Sequence, residues 1–171
     1  RESAKSVIVK PQTFFSSSLR TLARCRMVVL LIVSVWFTAR AEFRVATFNA
    51  DITIPIGHAC MGGGVADARE IVDPLFAKGF VLLGAEEPLV VVSLDWCQCN
   101  NDSYDRWREV LAQAAHTTPQ RVMLATVHQH DAPICDLTAQ RLLDDQGQPG
   151  WNCDPEFHER AVQRTATALK Q

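Results

Sequence analysis

Apolar residues recur along this chain with two different spacings, and the switch between them outlines the fold. Phe43 to Phe48 alternates apolar with polar, and Asp51 to Ile54 continues extended toward Pro55, predicting an opening strand. Lys78–Leu83 and Leu89–Leu94 are apolar runs separated by Gly84-Ala85-Glu86-Glu87-Pro88, the pattern of a hairpin with a polar turn. The second run, LVVVSL, reads as a strand buried on both faces, and Asp95 ends it. After Asn100-Asn101 the spacing changes: Asp102 or Ser103 can cap a helix to about His116, with Trp107, Val110, Leu111 and Ala114 along one face. Arg121–Val127 (RVMLATV) is the next strand. Leu137–Leu143 is weakly helical, and Asp145 to Gly150 is a loop. Asp154-Pro155-Glu156 combines a capping acid, proline at the first helical position and an acid in the first turn. Phe157, Ala161, Thr165 and Leu169 then recur every fourth residue, and the chain stops without a helix stop signal. The fold class expected is α/β, a mixed sheet containing a hairpin and a βαβ unit, incomplete at its C-terminus.

The βαβ reading has a geometric consequence. Strands joined by a helical crossover run parallel, so the strands ending at Leu94 and Val127 deliver their carboxyl ends to one edge of the sheet, where ligand sites of open α/β sheets gather. That edge carries Asp95 and the sequence Val127-His128-Gln129-His130-Asp131-Ala132-Pro133. In extended chain, residues i and i+2 share a face, so His128 and His130 can both reach one point above the sheet. Neutral imidazole is a common zinc ligand, but a catalytic zinc takes three protein ligands and keeps a position open. The pair is therefore at most part of a site, and hydrogen bonding of both rings to loop backbone is the alternative. For Asp95 the alternative is a simple loop cap.

The N-terminal portion follows another pattern. Arg20, Arg24 and Arg26 precede the apolar run Met27–Phe37, which leads to Ala39-Arg40-Ala41. This is the layout of a signal peptide cleaved after Ala41, with a membrane anchor as the alternative, although a span needs about 20 apolar residues. Residues 1–41 are expected to be a leader and 42–171 the folded part, secreted or periplasmic. Residues 42–171 hold 10 basic against 18 acidic residues, a formal net charge of −8, which disfavours nucleic acid as a partner.

Cys60, Cys97, Cys99, Cys135 and Cys153 follow the leader. Disulfides are the default in an exported protein, with Cys135 and Cys153 as a loop-closing pair. The alternative is a Cys/His structural metal site using Cys97, Cys99 and Cys135. The triple glycine Gly62-Gly63-Gly64 lacks the lysine of a phosphate-binding loop and reads as a flexible connection, and His158 reads as a surface residue of the last helix.

Ala50-Asp51-Ile52-Thr53, Met61-Gly62, the stretch FVLLGAEEPLVVVSLD ending at Asp95, and VHQHDAP occur in an order that resembles the N-terminal region of the neutral/alkaline, non-lysosomal ceramidases. The resemblance spans Phe43 to Gln171, with VHQHDAP standing where the family has His-Thr-His-x-Gly-Pro. It implies a zinc-dependent amidase that splits ceramide into sphingosine and a fatty acid, with peripheral contact to the membrane that holds its lipid substrate. It also implies that His128 binds Zn2+, that His130 lies beside the metal or faces the substrate, and that catalytic Asp95 lies close by. Gln129, Asp131, Ala132, Ile134 and Cys135 depart from the family pattern, so another amide or ester substrate is equally open. The family's remaining ligands, a histidine, a glutamate and a tyrosine, fall beyond this length, and the 171-residue chain is expected to be a piece with weak zinc binding and little activity of its own. The reading from a different class is a non-catalytic secreted α/β domain.

Overall fold

A computed structural model of the chain describes residues 42–84 and 86–171; the expected leader lies outside the described residues. A four-stranded sheet is built from β1 (Arg44–Asp51), β2 (Phe76–Leu83), β3 (Leu89–Leu94) and β5 (Val122–Thr126) in the order β1-β2-β3-β5. The first two pairings are antiparallel, and β3 pairs with β5 in parallel, Leu94 opposite Thr126. The crossover between them carries α1 (Asn101–Ala115), so the hairpin and the βαβ unit are both present. A second ribbon pairs β4 (Gln98–Asn100) with β6 (Ile134–Asp136) in parallel, Cys99 opposite Cys135. Helices α2 (Leu137–Asp144) and α3 (Pro155–Leu169) follow.

Local chemistry accounts for the helix ends. The Asp154 carboxylate accepts from the backbone N–H groups of Glu156 (2.8 Å) and Phe157 (3.1 Å), satisfying two donors that the first turn of α3 would leave free. Asp136 caps α2 in the same way, accepting from Ala139 N–H at 2.9 Å. The α1 helix starts before the expected Asp102 or Ser103 cap, with Asn100 as an extended N-cap that makes no side-chain capping bond. Ser103 is instead buried, and its hydroxyl accepts from Leu137 N–H at 3.0 Å. At the other end His116 adopts φ +54° and closes α1 in the left-handed conformation.

One face of the sheet makes the core. Phe48, Ala50, Ala77, Val81, Val90, Val92, Leu94, Val122 and Leu124 are buried, while Val45, Phe80 and Met123 on the alternate positions are exposed. The outward positions of β3, Leu89, Val91 and Ser93, are half-buried, so the expected burial of this strand on both faces is not met among the described residues. The two long helices pack against each other, α3 along β1 and α1 along β5. Between them sit Trp96 and Trp107, both fully buried, with ring centroids 5.5 Å apart edge to face. Trp96 Nε1 donates to Ile52 O (3.3 Å), and Arg106 forks onto Glu159 at 2.7 and 3.0 Å, holding that carboxyl at about 2. Gly79 is required by the packing of Phe48 across the ladder: a Cβ there would lie 2.4 Å from Phe48 Cζ and 2.5 Å from Val91 O.

His158 is not the surface residue expected from the sequence. It is fully buried against Trp96 and Trp107, with neither ring nitrogen hydrogen-bonded among the described residues. The reason is that α3 buries consecutive positions: Phe157 and His158 both face inward at its crowded first turns. Burial, far more than the nearby Arg106, pushes the imidazole down from 6.5 to about 4.

Two outcomes follow. Below pH 6.5 the unfolded chain takes up a proton at His158 that the folded chain refuses until about pH 4, so stability falls on acidification across that window. The loss by pH 4.5 is about 2–3 kcal/mol, measurable by urea unfolding at pH 7 and pH 4.5, and His158→Phe should remove most of it. Gly79→Ala should cost about 1–3 kcal/mol in the same assay.

Candidate functional site

The site grows from the parallel pairing of β3 and β5. The ladder continues past both strands: Val127 N–H donates to Leu94 O (3.1 Å), and His128 N–H to Trp96 O (3.1 Å). Asp95 and the two histidines therefore share one sheet edge, as the βαβ reading required. The strand itself, however, stops at Thr126, and His128 takes φ +61°. The expected extension of the strand through the histidines is thus replaced by a left-handed turn. A non-glycine residue held there carries about 1 kcal/mol or more of backbone strain, and such strain clusters at functional sites.

The turn is held from several sides. Gln129 Nε2 donates to Asp95 O at 2.6 Å, Met61 N–H to Ala132 O at 2.8 Å, and Cys97 N–H to the O of buried Pro133 at 3.0 Å. Met61 belongs to the glycine loop, whose Gly62 (φ +60°) packs so close to Asn152 and Ile134 that a Cβ would sit 3.0 Å from Asn152 Nδ2. The triple glycine is therefore a packing device supporting the histidine turn as well as a connection.

Both imidazoles are exposed, with ring centroids 5.4 Å apart and planes nearly perpendicular. His128 Nδ1 lies 3.2 Å from Cys97 O and 3.8 Å from Cys97 Sγ. A carbonyl oxygen can only accept, so this hydrogen bond puts the proton on Nδ1 and leaves the Nε2 lone pair free. Histidines that bind metals are oriented in this manner, the far nitrogen donating to a carbonyl or carboxylate. Cys97 O also accepts from Thr126 Oγ1 at 3.1 Å, which fixes the carbonyl that orients the ring.

Asp95 is placed differently from the histidines. Its Oδ2 accepts from Phe76 N–H (2.9 Å) and meets Lys78 Nζ at 3.7 Å, so the carboxylate ties β3 to β2. Its link to the histidine turn runs through its backbone carbonyl and Gln129. Among the described residues, no group of three or more His, Cys, Asp or Glu side chains could hold a metal ion. The alternative Cys/His centre of Cys97, Cys99 and Cys135 is accordingly not assembled, because Cys97 turns to His128 whereas Cys99 and Cys135 face each other across the β4–β6 ribbon. The fit of a zinc ion is partial: one imidazole oriented by a carbonyl, a second beside it at the rim, and a third donor lacking among the described residues.

Gln129 and Asp131, interleaved with the histidines, line a cleft of about 560 Å³ together with Cys60, Asp67, Arg69 and Ile71, while His128 and His130 do not line it. Burial, with Asp131 and Asp67 nearby, pushes the Cys60 thiol up, so it stays protonated at neutral pH. The cleft was not visible in the sequence; its walls come from the segment between β1 and β2, whose backbone pairs with itself through Gly57 N–H to Ala68 O (2.7 Å) and Ala68 N–H to His58 O (3.0 Å).

The chain is similar in structure to a ceramidase complexed with C2, at 20% identity and a TM-score of 0.53, covering 75% of this chain and 20% of that one. It is also similar to neutral ceramidase from Pseudomonas aeruginosa, at 18% identity and a TM-score of 0.54, covering 76% of this chain and 21% of that one. The fold is ceramidase-like. The chain spans about one fifth of the length of these neighbours. No family model and no curated protein matches it. No helix among the described residues is long and apolar enough to cross a membrane.

The strain at His128 can be separated from its chemistry. His128→Gly should be about 1 kcal/mol more stable than His128→Ala, since glycine accepts positive φ freely while alanine keeps the strain. Thermal unfolding of the two variants gives the comparison; equal melting temperatures would show that the turn relaxes without cost.

Proposed function

We propose that this chain carries the two-histidine part of the site of a zinc-dependent hydrolase acting on an amide bond, ceramide-like in the first instance. The observation that carries the reading is the hydrogen bond of 3.2 Å that His128 Nδ1 donates to Cys97 O, which leaves Nε2 free at an exposed sheet edge where the His130 ring centroid lies 5.4 Å from that of His128. The likeness in fold to two ceramidases points the same way. His128 is the metal ligand, and His130, across from it, holds or moves a proton at the substrate side. Asp95 is a positioning residue: its backbone carbonyl accepts from Gln129, and its carboxylate ties the edge to β2. A zinc ion, when bound, supplies Lewis acidity toward the amide carbonyl and lowers the pKa of water. The remaining donors come from outside the described residues. Leader cleavage after Ala41 and export remain part of this reading, as does peripheral membrane contact through a lipid substrate.

Asp131 and the cleft it lines bear on the substrate. A carboxylate at the wall of this cleft, which Gln129 and Asp131 line and the two histidines do not, favours an amide with a polar or cationic neighbouring group over a purely apolar one, which leaves amides other than ceramide open.

Zinc titration of the full 171-residue chain, read by calorimetry, tests the site. Weak binding of one ion is expected, reduced at least tenfold in His128→Ala and less so in His130→Ala, with hydrolysis of a short-chain fluorescent ceramide slow or undetectable. Zinc binding unaffected by His128→Ala would overturn the assignment.

A further inference from the structure

The three cysteines Cys99, Cys135 and Cys153 play no part in the histidine site, yet they are gathered in one place. Cys99 and Cys135 stand opposite each other in the β4–β6 ribbon. Cys153 belongs to the connector between α2 and α3, which is tied to the end of β6 and to α2 by hydrogen bonds from backbone N–H groups to side-chain oxygens. Asp136 N–H donates to Asn152 Oδ1 (3.2 Å), while the N–H groups of Asn152 (2.8 Å) and Cys153 (3.0 Å) both donate to Oε1 of buried Gln140. Cys135 and Cys153 are fully buried free thiols, and the bond between their chain neighbours Asp136 and Asn152 sets the two residues side by side.

We infer that Cys135 and Cys153 are the site of a disulfide that staples the α2–α3 connector onto β6, the strand that leaves the histidine turn directly after Pro133. The reaction is thiol–disulfide exchange with a small external disulfide such as oxidised glutathione. One cysteine thiolate attacks a sulfur of the external disulfide and expels one thiolate; the second attacks the resulting mixed disulfide and expels the other. The two protein thiols lose two electrons and two protons, and two glutathione thiols are produced. With both sulfurs buried, the exchange precedes the seating of the connector on α2, and the finished bond is then shielded from reductants. Cys99, whose thiol burial pushes well up, is left reduced.

The test uses the full chain refolded with reduced and oxidised glutathione, alkylated in denaturant, and digested without reductant for mass spectrometry. The expected result is a peptide pair joined through Cys135 and Cys153, with Cys99 alkylated. The melting temperature of this oxidised form should exceed that of the same chain refolded in excess reductant by about 5–10 °C, and Cys153→Ser should abolish the difference. Alkylation of both Cys135 and Cys153, or a cross-link in which Cys99 replaces either, would overturn the inference. Because the oxidised and reduced wild-type forms are compared directly, the result does not depend on the serine variant folding.

Discussion

The parallel pairing of β3 with β5 is the constraint on which the rest of this structure depends. Two strands that run the same way must be joined over the top of the sheet, and α1 makes that crossing with Trp107 turned inward. The same pairing sends Asp95 and the histidine turn to one edge, and the ladder continues beyond both strands through Leu94 O and Trp96 O. Trp96 thus serves two purposes: its indole fills the core against Trp107, and its carbonyl receives the N–H of His128. Packing and site geometry are joined at a single residue.

Around that edge the chain places a polar turn on a rigid base. Leu94, Trp96, Ala132 and Pro133 are all buried, whereas His128 to Asp131 are exposed. The turn is anchored at both ends and in the middle by backbone hydrogen bonds, and the His128 ring is ordered without being buried. Exposure keeps them available to an ion or a substrate, and the Cys97 carbonyl sets the tautomer of one of them. The cost is strain at His128, which the surrounding hydrogen bonds offset.

The buried histidines show a different use of the same side chain. His158 sits in the aromatic core with neither ring nitrogen hydrogen-bonded among the described residues and is held neutral, while His58 is tied to the backbone at both nitrogens, Nδ1 donating to Ala59 O (2.8 Å) and Nε2 accepting from Asp154 N–H (3.2 Å). Burial lowers both. Two histidines that burial keeps neutral and two that stand exposed at the sheet edge cannot be told apart by residue type; their surroundings separate them.

Much of this molecule was legible in its sequence because period and punctuation are local. The hairpin of β2 and β3, the apolar face of α1 at Trp107, Val110, Leu111 and Ala114, and the Asp154-Pro155-Glu156 start of α3 were all read from spacing, since side-chain periodicity and capping depend on neighbours within a few residues. The sharing of one edge by Asp95 and the histidines followed as well, because chain direction constrains a βαβ unit. What only the tertiary structure decided was orientation. The left-handed turn at His128, the engagement of Asp95 with Phe76 and Lys78, the burial of His158, and the β4–β6 ribbon that sets Cys99 opposite Cys135 all arise from contacts between segments tens of residues apart, to which local pattern is blind.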